Sequence, residues 1–131
     1  MKILMAEDEY ITQKKLMSIL EKYGHCDSVA DGVSAIETFK TALIEGNPYQ
    51  LVTLDINMPN LNGHIVAQEI RALEEAEDAN ENAVVLIISQ MDDVDNTMAA
   101  FFEDGVDGYI NKPFNKEKIC HELTARGMML P

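Results

Sequence analysis

The chain has 131 residues, 47% of them hydrophobic, with ten Lys plus Arg against 23 Asp plus Glu and a formal net charge of −13. A chain of this length buries about two thirds of its extended surface, so a single domain over residues 1–131 can fold on one core without disulfides or structural metal. The acidic balance repels a phosphate backbone and no Lys/Arg cluster offsets it, which excludes direct nucleic-acid binding as an expectation. An apolar run of about 18 residues, the length that spans a bilayer, is missing, so no membrane span is expected. Cys26 and Cys120 fit no metal-ligand or CxxC spacing, and no signal peptide is recognisable, so the expectation is a reduced, soluble, cytoplasmic protein.

Along the chain, short apolar or β-branched runs alternate with longer stretches whose apolar residues recur every three or four positions. Strands are predicted at 2–6, 26–30, 50–54, 84–88 and 107–110. The run Val84, Val85, Leu86, Ile87, Ile88 is apolar throughout, as suits a parallel strand covered on both faces. Helical stripes follow each strand: Leu16, Ile19, Leu20 and Tyr23; Ile36, Phe39 and Leu43; Val66, Ile70 and Leu73; Val94, Met98, Phe101 and Phe102; Ile119 and Leu123. Five β-then-α units with right-handed crossovers predict an α/β, doubly wound (βα)5 fold with a five-stranded parallel sheet in the order 2-1-3-4-5. Five of the ten residues at 74–83 are acidic (Glu74, Glu75, Glu77, Asp78, Glu81). Acids at a helix C-terminus oppose the macrodipole, so the third helix is expected to fray there into a solvated loop. The methionines read as core gap-fillers, and His25, His64 and His121 as surface or partly buried residues without sequence partners. The apolar ending Met128, Met129, Leu130 reads either as packing on the last helix or as a partner contact.

In such a sheet strands 1 and 3 are neighbours, and ligands sit beyond the carboxyl ends of the strands at that switch point. Glu7, Asp8 and Glu9 follow strand 1, Asp55 follows strand 3, Ser89 follows strand 4 and Lys112 follows strand 5. Each has an ordinary structural explanation: Asp8 or Ser89 as a helix N-cap, Asp55 as a turn residue, Lys112 as a loop charge. Their convergence on one edge is harder to explain that way. Carboxylates about 4 Å apart repel by roughly 4 kcal/mol per pair at an effective dielectric near 20, which a fold tolerates when a cation sits among them. Oxygen ligands without His or Cys point to Mg²⁺. A carboxylate beside a divalent cation, a lysine and a hydroxyl is also the layout for phosphoryl transfer to that carboxylate.

The acidic pair Glu7-Asp8, the stretch Asp55-Ile56-Asn57-Met58-Pro59 with Gly63 after it, Ser89, and Tyr109 with Lys112-Pro113-Phe114 together make the chain resemble a response-regulator receiver domain of the CheY-like type along essentially its whole length. The resemblance implies a phosphoacceptor switch of a two-component phosphorelay, with Asp55 as phosphoacceptor, Asp8 and Asp55 as Mg²⁺ ligands, Glu7 acting through the metal's waters, and the Asn57 backbone carbonyl completing the site. It further implies that Lys112 pairs with phosphoryl oxygens, that a cis peptide precedes Pro113, and that Ser89 and Tyr109 move with the phosphate. The implied partners are a sensor histidine kinase or histidine phosphotransfer protein as donor, and an output protein docking on the fourth helix, fifth strand and fifth helix. Asp92, Asp93, Asp95, Glu103 and Asp104 around that fourth helix suggest a basic partner. Gln90 stands where the family more often has a small residue, and Asn57 and Met91 occupy positions that modulate dephosphorylation in the family.

Two other classes fit less well. An Asp-nucleophile phosphohydrolase of the haloacid-dehalogenase kind wants a DxD after the first strand, whereas the residue two after Asp55 is Asn57. A flavodoxin-like FMN carrier wants a Gly- and hydroxyl-rich phosphate loop after strand 1, where Glu7, Asp8 and Glu9 would repel the phosphate.

Overall fold

The computed structural model describes residues 1–59, 61–90, 105–128 and 130. Its elements run β1 (Lys2–Ala6), α1 (Tyr10–Leu20), β2 (His25–Val29), α2 (Gly32–Ile44), β3 (Leu51–Asp55), α3 (Gly63–Ala76), β4 (Val84–Ser89), β5 (Gly108–Asn111) and a C-terminal helix (Lys116–Ala125). The strands form one parallel sheet in the order β2-β1-β3-β4-β5, as the alternation of periods predicts. The stripe Val94, Met98, Phe101 and Phe102, expected to form the fourth helix, lies outside the described residues. No described helix is long and apolar enough to cross a membrane.

The sheet is buried on both faces because its side chains alternate between two cores. Leu4, Ala6, Val52, Leu54, Val85 and Ile87 pack with Phe39 of α2 and Val66 and Ile70 of α3. Ile3, Met5, Leu51, Leu86, Ile88 and Ile110 pack on the other face with Leu16 and Leu20 of α1 and Ile119 and Leu123 of the C-terminal helix. Met128 joins this second core, whereas Leu130 is exposed, so the apolar ending does pack in part against the body of the domain. Three helices begin at a side-chain cap: Asp31 accepts from the Ser34 amide, Asn62 from the Ile65 amide and Asn115 from the Lys118 amide.

The acidic stretch is solvated as expected at Glu75, Glu77, Asp78 and Glu81, all exposed, and departs from that expectation at Glu74. The helix continues to Ala76, and Glu74, only 4% exposed, is turned inward. Its carboxylate accepts from Arg71 Nη1 at 2.7 Å and from the Ala83 amide at 2.6 Å. Arg71 also donates to the Ala83 and Gly105 carbonyls at 2.8 and 3.0 Å, and to Asp107 Oδ2 at 2.8 Å. Asp107 in turn accepts from the Val85 amide at 2.8 Å. A paired guanidinium offsets the unfavourable dipole, and Glu74 becomes a tie between α3 and the strand that follows. On the opposite side of β5, Arg126 donates to the Asp107 carbonyl at 2.5 Å, so close that a Cβ at Gly108 would collide with its guanidinium. Glu74→Ala leaves the buried Ala83 amide without its acceptor and removes one of the two carboxylates paired with the half-buried Arg71, and should cost about 2 kcal/mol in urea unfolding. Glu75→Ala, on the solvated face, should change stability by less than about 0.5 kcal/mol.

Candidate functional site

Register brings the site together. Met5 pairs with Thr53 across β1 and β3, so two residues further on Glu7 and Asp55 lie side by side. Asp55 pairs with Ile88 across β3 and β4, and Ser89 with Asn111 across β4 and β5, which sets Ser89 and Lys112 on the same edge. Asp55 and Ser89 are the last residues of their strands rather than the first after them, a one-residue shift that leaves their backbones inside the ladder. The Ser89 carbonyl accepts from the Lys112 amide at 2.7 Å, tying the two residues together.

Carboxylate oxygens of Glu7, Asp8 and Asp55 lie within 4.8 Å of one another. Glu7 and Asp55 are buried and Asp8 is exposed. Lys112 Nζ stands 3.4 Å from Asp55 Oδ1 and 3.7 Å from Glu7 Oε1. The Asn57 amide donates to Asp55 Oδ1 at 3.2 Å. Glu7 Oε1 and Ser89 Oγ are buried without a hydrogen-bond partner. The Lys112–Pro113 peptide is cis. Asp8 does not cap α1: the N-cap is Glu9, which makes no side-chain cap bond to the helix and instead accepts from Thr12 Oγ1 at 2.7 Å. Tyr109, one strand residue before Ile110, is half-buried on the α2/α3 face of the sheet. Gly63 begins α3 directly under the site, where a Cβ would stand 2.9 Å from the Asp55 carbonyl oxygen. Glu7, Asp8, Asp55, Asn57, Ser89 and Lys112 therefore share this edge, whereas Met91 lies outside the described residues.

Burial, reinforced by hydrogen bonding to Asp55 and by its charge, pushes the Glu7 carboxyl from an ordinary value near 4.5 up to about 8, with Lys112 opposing the shift. Three oxygen-donor groups, an orphaned carboxylate oxygen and like charge that Lys112 relieves only in part suit a hard divalent cation.

A model of the response regulator receiver domain matches residues 3–124. The chain belongs to this family. It is 31% identical over 126 residues to the chemotaxis protein CheY of Treponema pallidum, covering 95% of this chain and 81% of that protein. It is 34% identical over 128 residues to the aerobic respiration control protein ArcA of Escherichia coli K12, covering 98% of this chain and 47% of ArcA, so it spans about half of that relative's length. A chain in the crystal structure of the CheX–CheY–BeF3–Mg²⁺ complex from Borrelia burgdorferi superimposes with a TM-score of 0.81 at 26% identity, over 96% of this chain and 88% of that one. The protein is thus a receiver domain of two-component signalling, a family of switches.

The raised Glu7 carboxyl has a stability consequence. The folded, metal-free chain holds this proton more tightly than the unfolded one, so the contribution is complete below about pH 4.5 and is lost as pH rises through about 8. Glu7→Gln keeps the shape and carries no charge. With EDTA present, its urea midpoint should exceed that of the parent increasingly from pH 5 to pH 8, and a constant difference across that range would disprove the assignment.

Proposed function

We propose that the domain accepts a phosphoryl group on Asp55 from a phosphohistidine donor, either a sensor histidine kinase or a histidine phosphotransfer protein, and thereby changes its affinity for an output protein. The observation that carries this reading is the convergence on one buried carboxylate, Asp55, of a lysine ammonium at 3.4 Å and, one strand away, a serine hydroxyl with no partner. The lysine and the Asn57 amide both reach Oδ1 of the carboxylate that attacks phosphorus. The P–N bond of the donor breaks as the O–P bond forms, and the imidazole leaves with a proton. Lys112 and the Ser89 hydroxyl then hold the new phosphoryl oxygens, which carry about two negative charges. Asp8 and Asp55, with the Asn57 carbonyl and Glu7 through water, would hold Mg²⁺, whose charge would neutralise the transferring group.

The reading extends to output. Ser89 and Tyr109 share the alternation that faces α2 and α3, with Ile87 paired to Tyr109 across the two strands. Movement of Ser89 toward a phosphoryl group would open space for Tyr109 and alter the surface of β5 and the C-terminal helix. Residues 91–104, expected to complete that surface, lie outside the described residues. The likeness to relatives named for chemotaxis and respiratory control supports a signalling role.

Incubation with a small phosphodonor and Mg²⁺ should add one base-labile phosphoryl group, and Asp55→Asn should take up none; undiminished labelling of that variant overturns the assignment. Asp8→Ala should lose the Mg²⁺ dependence of labelling. Because cation uptake requires the Glu7 proton to leave, half-saturation should need less Mg²⁺ at pH 8 than at pH 6 in the parent, as read by intrinsic fluorescence or calorimetry.

A further inference from the structure

We infer that Lys15 of α1 is a positioning residue for phosphoryl transfer, holding in place the short segment from which Lys112 reaches Asp55; the inference rests on the phosphoacceptor reading above. A lysine on an exposed helix face is ordinarily solvated, and its pairings contribute little because a flexible stem must be immobilised. Lys15 departs from that pattern in two ways. Its ammonium donates to the Phe114 backbone carbonyl at 2.5 Å, across 99 residues of sequence. The same ammonium lies 4.8 Å above the ring of Phe114, a side chain only 3% exposed in the core between α1 and the C-terminal helix. One cation therefore grips both the backbone and the ring of a residue two places from Lys112.

The rest of the segment is held in the same manner. The Lys112 amide is bound to the Ser89 carbonyl at 2.7 Å, and Lys118 Nζ donates to the Pro113 carbonyl at 3.0 Å. Consecutive carbonyls at Pro113 and Phe114 are thus each taken by a lysine, one from the C-terminal helix and one from α1. Lys118 belongs to the helix that begins just after the segment, so its bond is local. Lys15 instead ties the segment to α1, the element that follows Glu7 and Asp8.

Position matters here because Lys112 Nζ stands 3.4 and 3.7 Å from its two carboxylates, at ion-pair rather than hydrogen-bond distance. A small shift of its backbone changes which oxygens it meets, and misplacement of about 1 Å can cost as much as a hundredfold in rate. Lys15 and Lys112 also line one cleft of about 730 Å³, together with Thr12, Gln90, Pro113 and Phe114, so the clamp and the lysine it positions share one surface.

The test measures the rate of Asp55 labelling at saturating acetyl phosphate and Mg²⁺. Lys15→Met, which keeps the aliphatic stem, should lower that rate about tenfold, the equivalent of one lost charge-assisted hydrogen bond. The Mg²⁺ concentration at half-saturation should stay unchanged, because the carboxylates are untouched. Lys15→Arg, which retains a donor and a cation over the ring, should stay close to the parent. In a Lys112→Ala background, Lys15→Met should have no further effect, since a residue acting through Lys112 has nothing left to place. A parental rate in Lys15→Met overturns the clamp, as does an undiminished loss in the Lys112→Ala background, which would mark a direct electrostatic role. Either result would leave the phosphoacceptor reading standing. Failure of the parent chain to label would overturn both.

Discussion

Three carboxylates held within 4.8 Å of one another are the constraint around which this structure is organised. At an effective dielectric near 20, each such pair costs roughly 4 kcal/mol, more than any single surface contact returns. The arrangement persists because Glu7 and Asp55 stand at the ends of two strands whose preceding residues, Ile3, Leu4, Met5, Leu51, Val52 and Leu54, are fully buried. Each such side chain contributes about 1.5–3 kcal/mol, so the dry sheet can carry an unfavourable edge. Lys112 supplies partial relief, and retention of a proton on Glu7 supplies more. The domain thus holds a site poised for positive charge before any arrives.

A sheet that carries strain at its carboxyl end needs its strands fixed at the other. β5 has only four residues, and it delivers Lys112. Arg71 and Arg126 converge on Asp107 immediately before it, one on the side chain and one on the carbonyl. The Arg71–Glu74–Asp107 network spans α3, the loop before β4 and the approach to β5, so the short strand is anchored by charge-assisted hydrogen bonds where its own ladder is brief. Beyond its other end, Lys15 and Lys118 hold the carbonyls that follow Lys112. The clustered carboxylates and the paired arginines therefore occupy opposite ends of one sheet.

The strand order, the two-faced core and the edge that collects Glu7, Asp8, Asp55, Ser89 and Lys112 were legible in the sequence. They follow from local rules: apolar runs of strand length, helical stripes between them, and the geometry of parallel crossovers. The caps at Asp31, Asn62 and Asn115 emerge only in the structure. Strand ends were less exact, since Asp55 and Ser89 enter the ladder through hydrogen bonds to neighbouring strands that local sequence does not encode. The resemblance to the receiver family rested on residues placed at strand ends, and it is the family the comparisons identify.

What the sequence by itself determined is the alternation of elements, and hence which acidic and basic residues share an edge. Tertiary structure alone decided what each charge faces. Glu74 reads as one more acid in a solvated run, yet an arginine three residues earlier and an amide nine residues later turn it inward. For Asp8 the sequence leaves a helix cap as the ordinary alternative, and the structure gives the cap position to Glu9 and Asp8 to the carboxylate cluster. Lys15 carries no local signal of its role, because its partner lies 99 residues away. Periodicity reports the face on which a residue sits, whereas pairing between charges depends on distances that only the packed chain creates.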